Sequence, residues 1–388
     1  MQARHGRLYL AALVCATLPA LAQAQERETS PLKARWTYDP ASLRPFWLGD
    51  TMIDETALFV RTPTDTRPTA SLLFQPTAIV SVRSASREAT YEAGRDYVWK
   101  PGTRTIELPE GSRIVWKTPA DLRRKPGSQP FALTHRDGHG EILFAAGHEY
   151  QDMQTVITYR HKRGAWTGPM PAYQGDRLAH TLTRLKAKGT LKIALLGDSI
   201  STGCNASGWA NVPPYQPPWQ DLFVLWLRRT FGASVALQNF AVGGTDTAWG
   251  VQQIGRVIDA APDLVILAFG MNDAAGRPAA EYGANMKAMV DAVRRVRPDA
   301  EFILVAPMVG NRDWVALRQE LFPQYRDELA RLAGPSVALA DMTSIWAELL
   351  KHKLDWDMTG NGVNHPNDFG HRVYAQVLAS LVSPNPAR

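Results

Sequence analysis

From Leu191 onward, short continuous apolar runs alternate with longer stretches in which apolar residues recur every three or four positions. The short runs are Leu191–Leu196, Val235–Phe240, Leu264–Phe269, Phe302–Val305 and Val337–Ala340. They predict strands buried on both faces, since a half-exposed strand would alternate apolar with polar. The longer stretches, Trp219–Phe231, Trp249–Ala260, Ala279–Val296, Trp314–Leu332, Ser344–Lys351 and Phe369–Leu381, predict helices. In Ala279–Val296, for instance, Met286, Met289, Val290 and Val293 share one face. Strands alternating with helices predict a parallel sheet covered on both sides, an α/β fold.

Residues 26–165 follow a different rhythm. Ala57–Arg61, Ser71–Phe74, Ala78–Val82, Thr105–Leu108, Arg113–Trp116, Ile142–Phe144 and Thr155–Tyr159 are short and rich in β-branched and aromatic residues. Pro63, Pro68, Gly94, Pro101-Gly102, Pro109-Glu110-Gly111, Gly138 and Gly140 punctuate them. This spacing predicts a smaller antiparallel β-sandwich. A connector over 166–190, with a short helix at Leu178–Lys188, separates it from the α/β part at 191–388.

Residues 1–24 read as a secretory signal peptide. Arg4 and Arg7 precede the apolar Leu8–Leu21, and Ala22-Gln23-Ala24 is a small-x-small cleavage signal. The expected location is therefore exported, periplasmic or extracellular. Loss of those residues lowers the formal charge from +6 to +4 and leaves Cys204 as the single cysteine, so no internal disulfide forms. No run of Lys and Arg marks a nucleic-acid partner. No segment after the leader is apolar for long enough to insert stably in a membrane. The composition, 45% hydrophobic and 21% charged, is that of a globular chain.

Four short motifs close separate segments of the α/β part: Gly197-Asp198-Ser199, Asn239-Phe240-Ala241-Val242-Gly243-Gly244, Gly270-Met271-Asn272-Asp273 and Asn364-His365-Pro366. Three directly follow strands and the fourth precedes the last helix, the edge where such sheets place ligands. Acyl transfer needs a hydroxyl activated by a base, and donors aimed at the oxyanion that forms. Ser199 and His365 are the candidates for the first task. The Ser199 amide, the Gly244 amide and the Asn272 side chain are candidates for the second. Ser201 stands where the Gly-x-Ser-x-Gly elbow of α/β-hydrolases requires glycine.

These residues in this order resemble the SGNH hydrolase, or GDSL-type lipase/esterase, superfamily over roughly residues 190–385. The resemblance implies a flavodoxin-like three-layer fold, Ser199 as nucleophile and His365 as base. It implies an oxyanion hole of the Ser199 and Gly244 amides with Asn272 Nδ2, and no cofactor or metal. One position departs from the family pattern: the aspartate expected three residues before the histidine is Gly362. Asp357, reaching around the Thr359–Gly362 turn, or a backbone carbonyl stands in its place as the group that orients His365. Asp355 and Asp368 are the other nearby acids.

The expected activity is carboxylic ester hydrolysis, as an acetylesterase acting on an O-acetylated carbohydrate, the partner being a small or polysaccharide ester. The aromatic loop Trp209–Trp219, with Trp249, offers a surface for stacking sugars or simply packs over the sheet edge. The alternatives are a lipase or lysophospholipase, an acyltransferase, and a glycan-binding protein with a vestigial site. Three further residues read as structural: Asp198 in its turn, His371 on the last helix and Cys204 as a buried thiol. The cluster His135, Asp137, His139, Glu141, His148 and Glu149 reads as a solvated loop and not a metal site.

Overall fold

The computed structural model describes residues 36–386; the leader predicted over residues 1–24 lies outside them. The five apolar runs form one all-parallel sheet. Its strands lie in the order Ser234–Asn239, Thr190–Gly197, Leu264–Ala268, Glu301–Ala306, Val337–Asp341. Burial explains their composition: every residue of Leu264–Ala268 and Glu301–Ala306 is buried. The edge strand Ser234–Asn239, by contrast, exposes four of its six residues. The chain reverses its direction of travel across the sheet beside Thr190–Gly197, so the ends of this strand and of Leu264–Ala268 flank the switch point.

Helices cover the sheet in two groups. Thr247–Asp259, Ala279–Val296 and Leu321–Leu332 pack in series, while Trp219–Phe231 packs on Asp368–Val382. One predicted helix is shorter than its periodicity suggests: Trp314–Leu332 is helical only from Leu321. Its first residues are drawn into contacts with the N-terminal half. Val315 N donates to Thr134 O at 3.1 Å, and Arg136 Nη2 bonds the carbonyls of Trp314 and Leu317 at 3.2 and 3.1 Å.

The N-terminal half holds separate sheets. Thr155–His161 lies between Thr51–Ala57 and Pro76–Ser84 in an antiparallel sheet of three strands. Five shorter strands form a second sheet, in which Phe59–Val60 pairs in parallel with Trp116–Lys117. The predicted Arg113–Trp116 strand shrinks to this pair, since Arg113 turns away to grip Asp96 with Nε at 2.9 Å.

The two halves share one apolar core that runs from Trp36 to Val382. The last helix shows how. His371, Arg372, Gln376 and Ser380 give it a polar face, yet 14 of its 15 residues are buried. N-terminal backbone satisfies part of that face: Arg372 Nη2 donates to Asp54 O at 2.7 Å, and Gln376 Nε2 to Ser42 O at 3.1 Å. A second junction is ionic. Lys353, fully buried, donates to Glu55 Oε1 at 2.7 Å and Ser71 O at 2.8 Å, with Asp357 at 3.8 Å. Burial opposes the ammonium charge, but Asp357 and Glu55 outweigh it and hold the pKa above its ordinary value.

Removing one partner of such a pair strands a charge. Lys353→Met is expected to destabilise the protein by roughly 3–5 kcal/mol, read as a lower denaturant midpoint; an unchanged midpoint would show that the junction contributes little.

Candidate active site

The Thr190–Gly197 strand ends in a turn that Asp198 fixes by capping the helix Ser199–Thr202, accepting from Ile200 N at 3.0 Å. Burial holds the Asp198 carboxyl up at about 7 despite that amide. Ser199 is thereby the first helical residue. Its amide belongs to the turn of N–H groups that have no acceptor within the helix.

His365 comes from a tight turn, Thr359 to Pro366, closed by Gly360 N donating to His365 O at 2.9 Å. The Asn361 side chain organises its interior. Oδ1 accepts from the amides of Val363, Asn364 and His365 at 2.9, 3.0 and 3.1 Å. The ring thus delivered places Nε2 2.9 Å from Ser199 Oγ. The residues are 1% and 3% exposed, so the pair is shielded from bulk water. Burial, reinforced by the nearby His371, lowers the His365 pKa to about 3. The ring is therefore neutral at ordinary pH, the form that accepts a proton from a hydroxyl.

The other ring nitrogen decides the departure noted at Gly362. Neither of the two expected groups is there. Asp357 turns away, accepting from Leu58 N at 2.8 Å and Leu354 N at 3.0 Å. Asp355 pairs with Arg312 at 3.3 Å, and Asp368 accepts from Ser207 N at 2.8 Å. The partner of His365 Nδ1 is the side chain of Asn205, whose Oδ1 lies 2.7 Å away. The sequence carries one indirect signal for it. An acceptor is missing at 362, and a short polar residue follows the serine within the same loop. Nothing in composition or spacing selects Asn205 from the other nearby polar side chains.

The remaining candidates are stitched to the serine's turn. Val242 N donates to Gly197 O at 3.1 Å, and Thr245 Oγ1 to the same carbonyl at 3.4 Å. Asn272 Nδ2 in turn donates to Thr245 O at 2.7 Å. A primary amide has two N–H groups, so this bond fixes the side chain and leaves a second donor. Gly244, at φ +77°, lies inside the stitched loop. Asp273, next to Asn272, accepts from Thr247 Oγ1 and pairs with Arg277 Nε at 2.7 Å, which secures the far side.

Other residues fall into structural places. His371 accepts from Trp219 N at 3.3 Å on Nδ1 and bonds Cys204 O at 3.2 Å through Nε2; burial lowers its pKa to about 4. Within the aromatic loop, Trp219 is fully buried, its indole N–H donating to Ile200 O at 3.0 Å, whereas Trp209 is 38% exposed. In the His135–Glu149 cluster, Arg123 grips Asp137 at 2.7 Å, and among the described residues no group of acids, histidines and cysteines converges to hold a metal. Nor is any described helix long and apolar enough to cross a membrane.

A model of the GDSL-like lipase/acylhydrolase family matches residues 195–373. No curated protein matches the chain. Among solved structures, the chain is similar to a two-domain esterase active on acetylated mannans, at 23% identity and a TM-score of 0.43. That match covers 55% of this chain and 54% of the esterase, so the chain spans about half its length. It is also similar to an acetylxylan esterase from Geobacillus stearothermophilus, at 18% identity and a TM-score of 0.41, over 49% of this chain and 92% of that one. A lipase from a goat rumen metagenome matches at 15% identity and a TM-score of 0.41, over 48% and 95%.

The geometry separates Asp357 from the imidazole. Asp357→Asn is expected to cost about 1–3 kcal/mol of stability, because one buried amide loses its acceptor, while ester turnover per folded molecule stays at the wild-type level. A large fall in turnover with normal folding would return Asp357 to the site.

Proposed function

We propose that this chain, matched over residues 195–373 by the GDSL-like lipase/acylhydrolase family model, is an SGNH-type carboxylic ester hydrolase that removes acetyl groups from O-acetylated carbohydrate through a Ser199 acyl-enzyme. The observation that carries the mechanism is the 2.9 Å contact between Ser199 Oγ and the neutral Nε2 of buried His365. As Oγ attacks the ester carbonyl, its proton passes to Nε2. The carbonyl oxygen becomes an oxyanion facing the amides of Ser199 and Gly244 and the second Nδ2 proton of Asn272. Collapse breaks the acyl–oxygen bond, and His365 returns its proton to the departing sugar hydroxyl. Water then repeats the sequence on the acyl-enzyme, with the same nitrogen taking and giving the proton. No metal or organic cofactor takes part in these steps.

The acetyl preference rests on access and surroundings. A nucleophile 1% exposed admits a small acyl group more readily than a long chain. Trp209, four residues beyond Asn205 and exposed, offers a ring face to a sugar. We read residues 1–24 as a leader that exports the enzyme, and residues 26–165 as an accessory β region, the α/β unit following a connector over 166–190.

Wild-type protein is expected to react with a fluorophosphonate probe and to release acetate from acetylated polysaccharides, and Ser199→Ala to do neither. Absence of labelling in folded wild type would favour a glycan-binding protein. Turnover confined to long acyl chains would favour a lipase or lysophospholipase, and acetyl transfer to an added sugar an acyltransferase.

The pH dependence of kcat/KM carries a second expectation. Because the free His365 titrates far below an ordinary histidine, the acid limb of the profile is expected below about pH 5, where an unperturbed imidazole base would lose activity near 6.5. A limb near 6.5 would contradict a buried base with no carboxylate beside it.

A further inference from the structure

We infer that Asn205 is a positioning residue for His365 that acts as an amide where a carboxylate would fail, and that backbone from Leu143–Gly147 in the N-terminal half sets it in place. The inference rests on Ser199 and His365 being nucleophile and base.

Gly362 stands where the resemblance places an aspartate. Gly362 has φ +81°, and a Cβ built there would lie 2.5 Å from Leu143 O and 2.7 Å from Cε2 of Tyr150. The N-terminal segment therefore fills the space that a side chain at 362 needs. The same segment then turns its next carbonyls on Asn205. Nδ2 lies 2.9 Å from Gly147 O and 3.5 Å from Ala145 O, with Gly360 O at 3.2 Å. Three carbonyl oxygens around one atom admit only a donor, so the amide orientation is settled by its surroundings. Nδ2 must face the carbonyls, which leaves Oδ1 to accept the Nδ1 proton of His365 at 2.7 Å.

That bond fixes the tautomer. With Nδ1 protonated, Nε2 presents its lone pair to Ser199, as the mechanism requires. A carboxylate at 205 would press an anionic oxygen with no proton against Gly147, Ala145 and Gly360. The backbone position adds to the fit, since Asn205 sits at φ +63°, a left-handed conformation that asparagine tolerates better than most residues. Its anchor is equally specific: Cys204 N donates to Ser199 O at 3.2 Å, and His371 holds the Cys204 carbonyl. During turnover the Ser199 proton moves to Nε2 and back; the Nδ1 proton stays on the ring, and none passes to the amide. The imidazolium thus forms without an anion beside it. His371 is the titratable neighbour whose charge acts on His365, while Asp357 faces Leu58, Leu354 and Lys353, and Asp368 faces Ser207.

Four variants of the full chain, with an aryl acetate as substrate, test this: Ser199→Ala, Asn205→Ala, Asn205→Asp and Gly360→Ala. Both Asn205 variants are expected to lower kcat about 100-fold with KM nearly unchanged, the scale of a misaligned base. In Asn205→Asp the acid limb is also expected to move upward, because an anion beside Nδ1 favours the imidazolium. Gly360→Ala, whose new Cβ would meet the Asn205 Cβ at 2.7 Å, should lower kcat in the same way while leaving the side chains of Ser199, Asn205 and His365 chemically unchanged. Asn205→Asp or Gly360→Ala retaining at least half of the wild-type kcat would overturn the inference. Nitrogen NMR of wild-type His365 decides independently of how the variants fold: protonation at Nδ1 supports the inference, and protonation at Nε2 overturns it. Failure of the underlying reading is distinguishable, because Ser199→Ala would then keep wild-type turnover.

Discussion

A histidine that is to take a proton from a hydroxyl must be neutral, must carry its own proton on the far nitrogen, and must be held still. In this protein burial makes His365 neutral, and the contact with Asn205 answers the other two demands. The surrounding structure is arranged around that ring. Asn361 organises the turn that carries it, the Ser199–Thr202 helix brings the hydroxyl to it, and the strand order places both at the switch point of the sheet. A neutral amide beside the ring is a weaker stabiliser of the imidazolium than a carboxylate would be. It does not raise the histidine's pKa, however, so the ring stays neutral in acid.

The N-terminal half is built into the α/β half and does not simply sit beside it. One large apolar cluster runs through both, and polar groups cross the boundary with their partners in place. Arg372, buried on the last helix, is satisfied by the carbonyls of Ile53 and Asp54 and by Gln216. Lys353 finds Glu55 and Ser71. Buried charges are tolerated only with such partners, so these contacts fix the mutual placement of the halves more sharply than oily surfaces could. The same fixed placement lets the segment at 143–147 crowd Gly362 and lend its carbonyls to Asn205.

Where expectation and structure part, the cause is a contact between residues distant in sequence or locked by their neighbours, in one case across this boundary. The 314–320 stretch has helical periodicity but spends its backbone on Thr134 and Arg136. The Arg113–Trp116 run has strand composition but loses Arg113 to Asp96. Trp219, within an aromatic loop suited to ligand stacking, is locked in the core by its bond to Ile200. Local propensity is a weak preference, worth well under a kcal/mol per residue, and a single well-made buried contact outweighs it.

The amino-acid sequence by itself determined the parallel sheet, the helices that cover it, the β-rich character of the N-terminal half and the order in which Ser199, Gly244, Asn272 and His365 occur along the chain. Those features are written in hydrophobic periodicity and in glycine and proline punctuation, which act over a few residues. Only the tertiary structure decided what holds His365. Asn205 and His365 are 160 positions apart, and the choice of an amide depends on carbonyls from three further points of the chain. A carbonyl is common to every residue and leaves no mark in sequence; its effect exists only once the fold has aimed it.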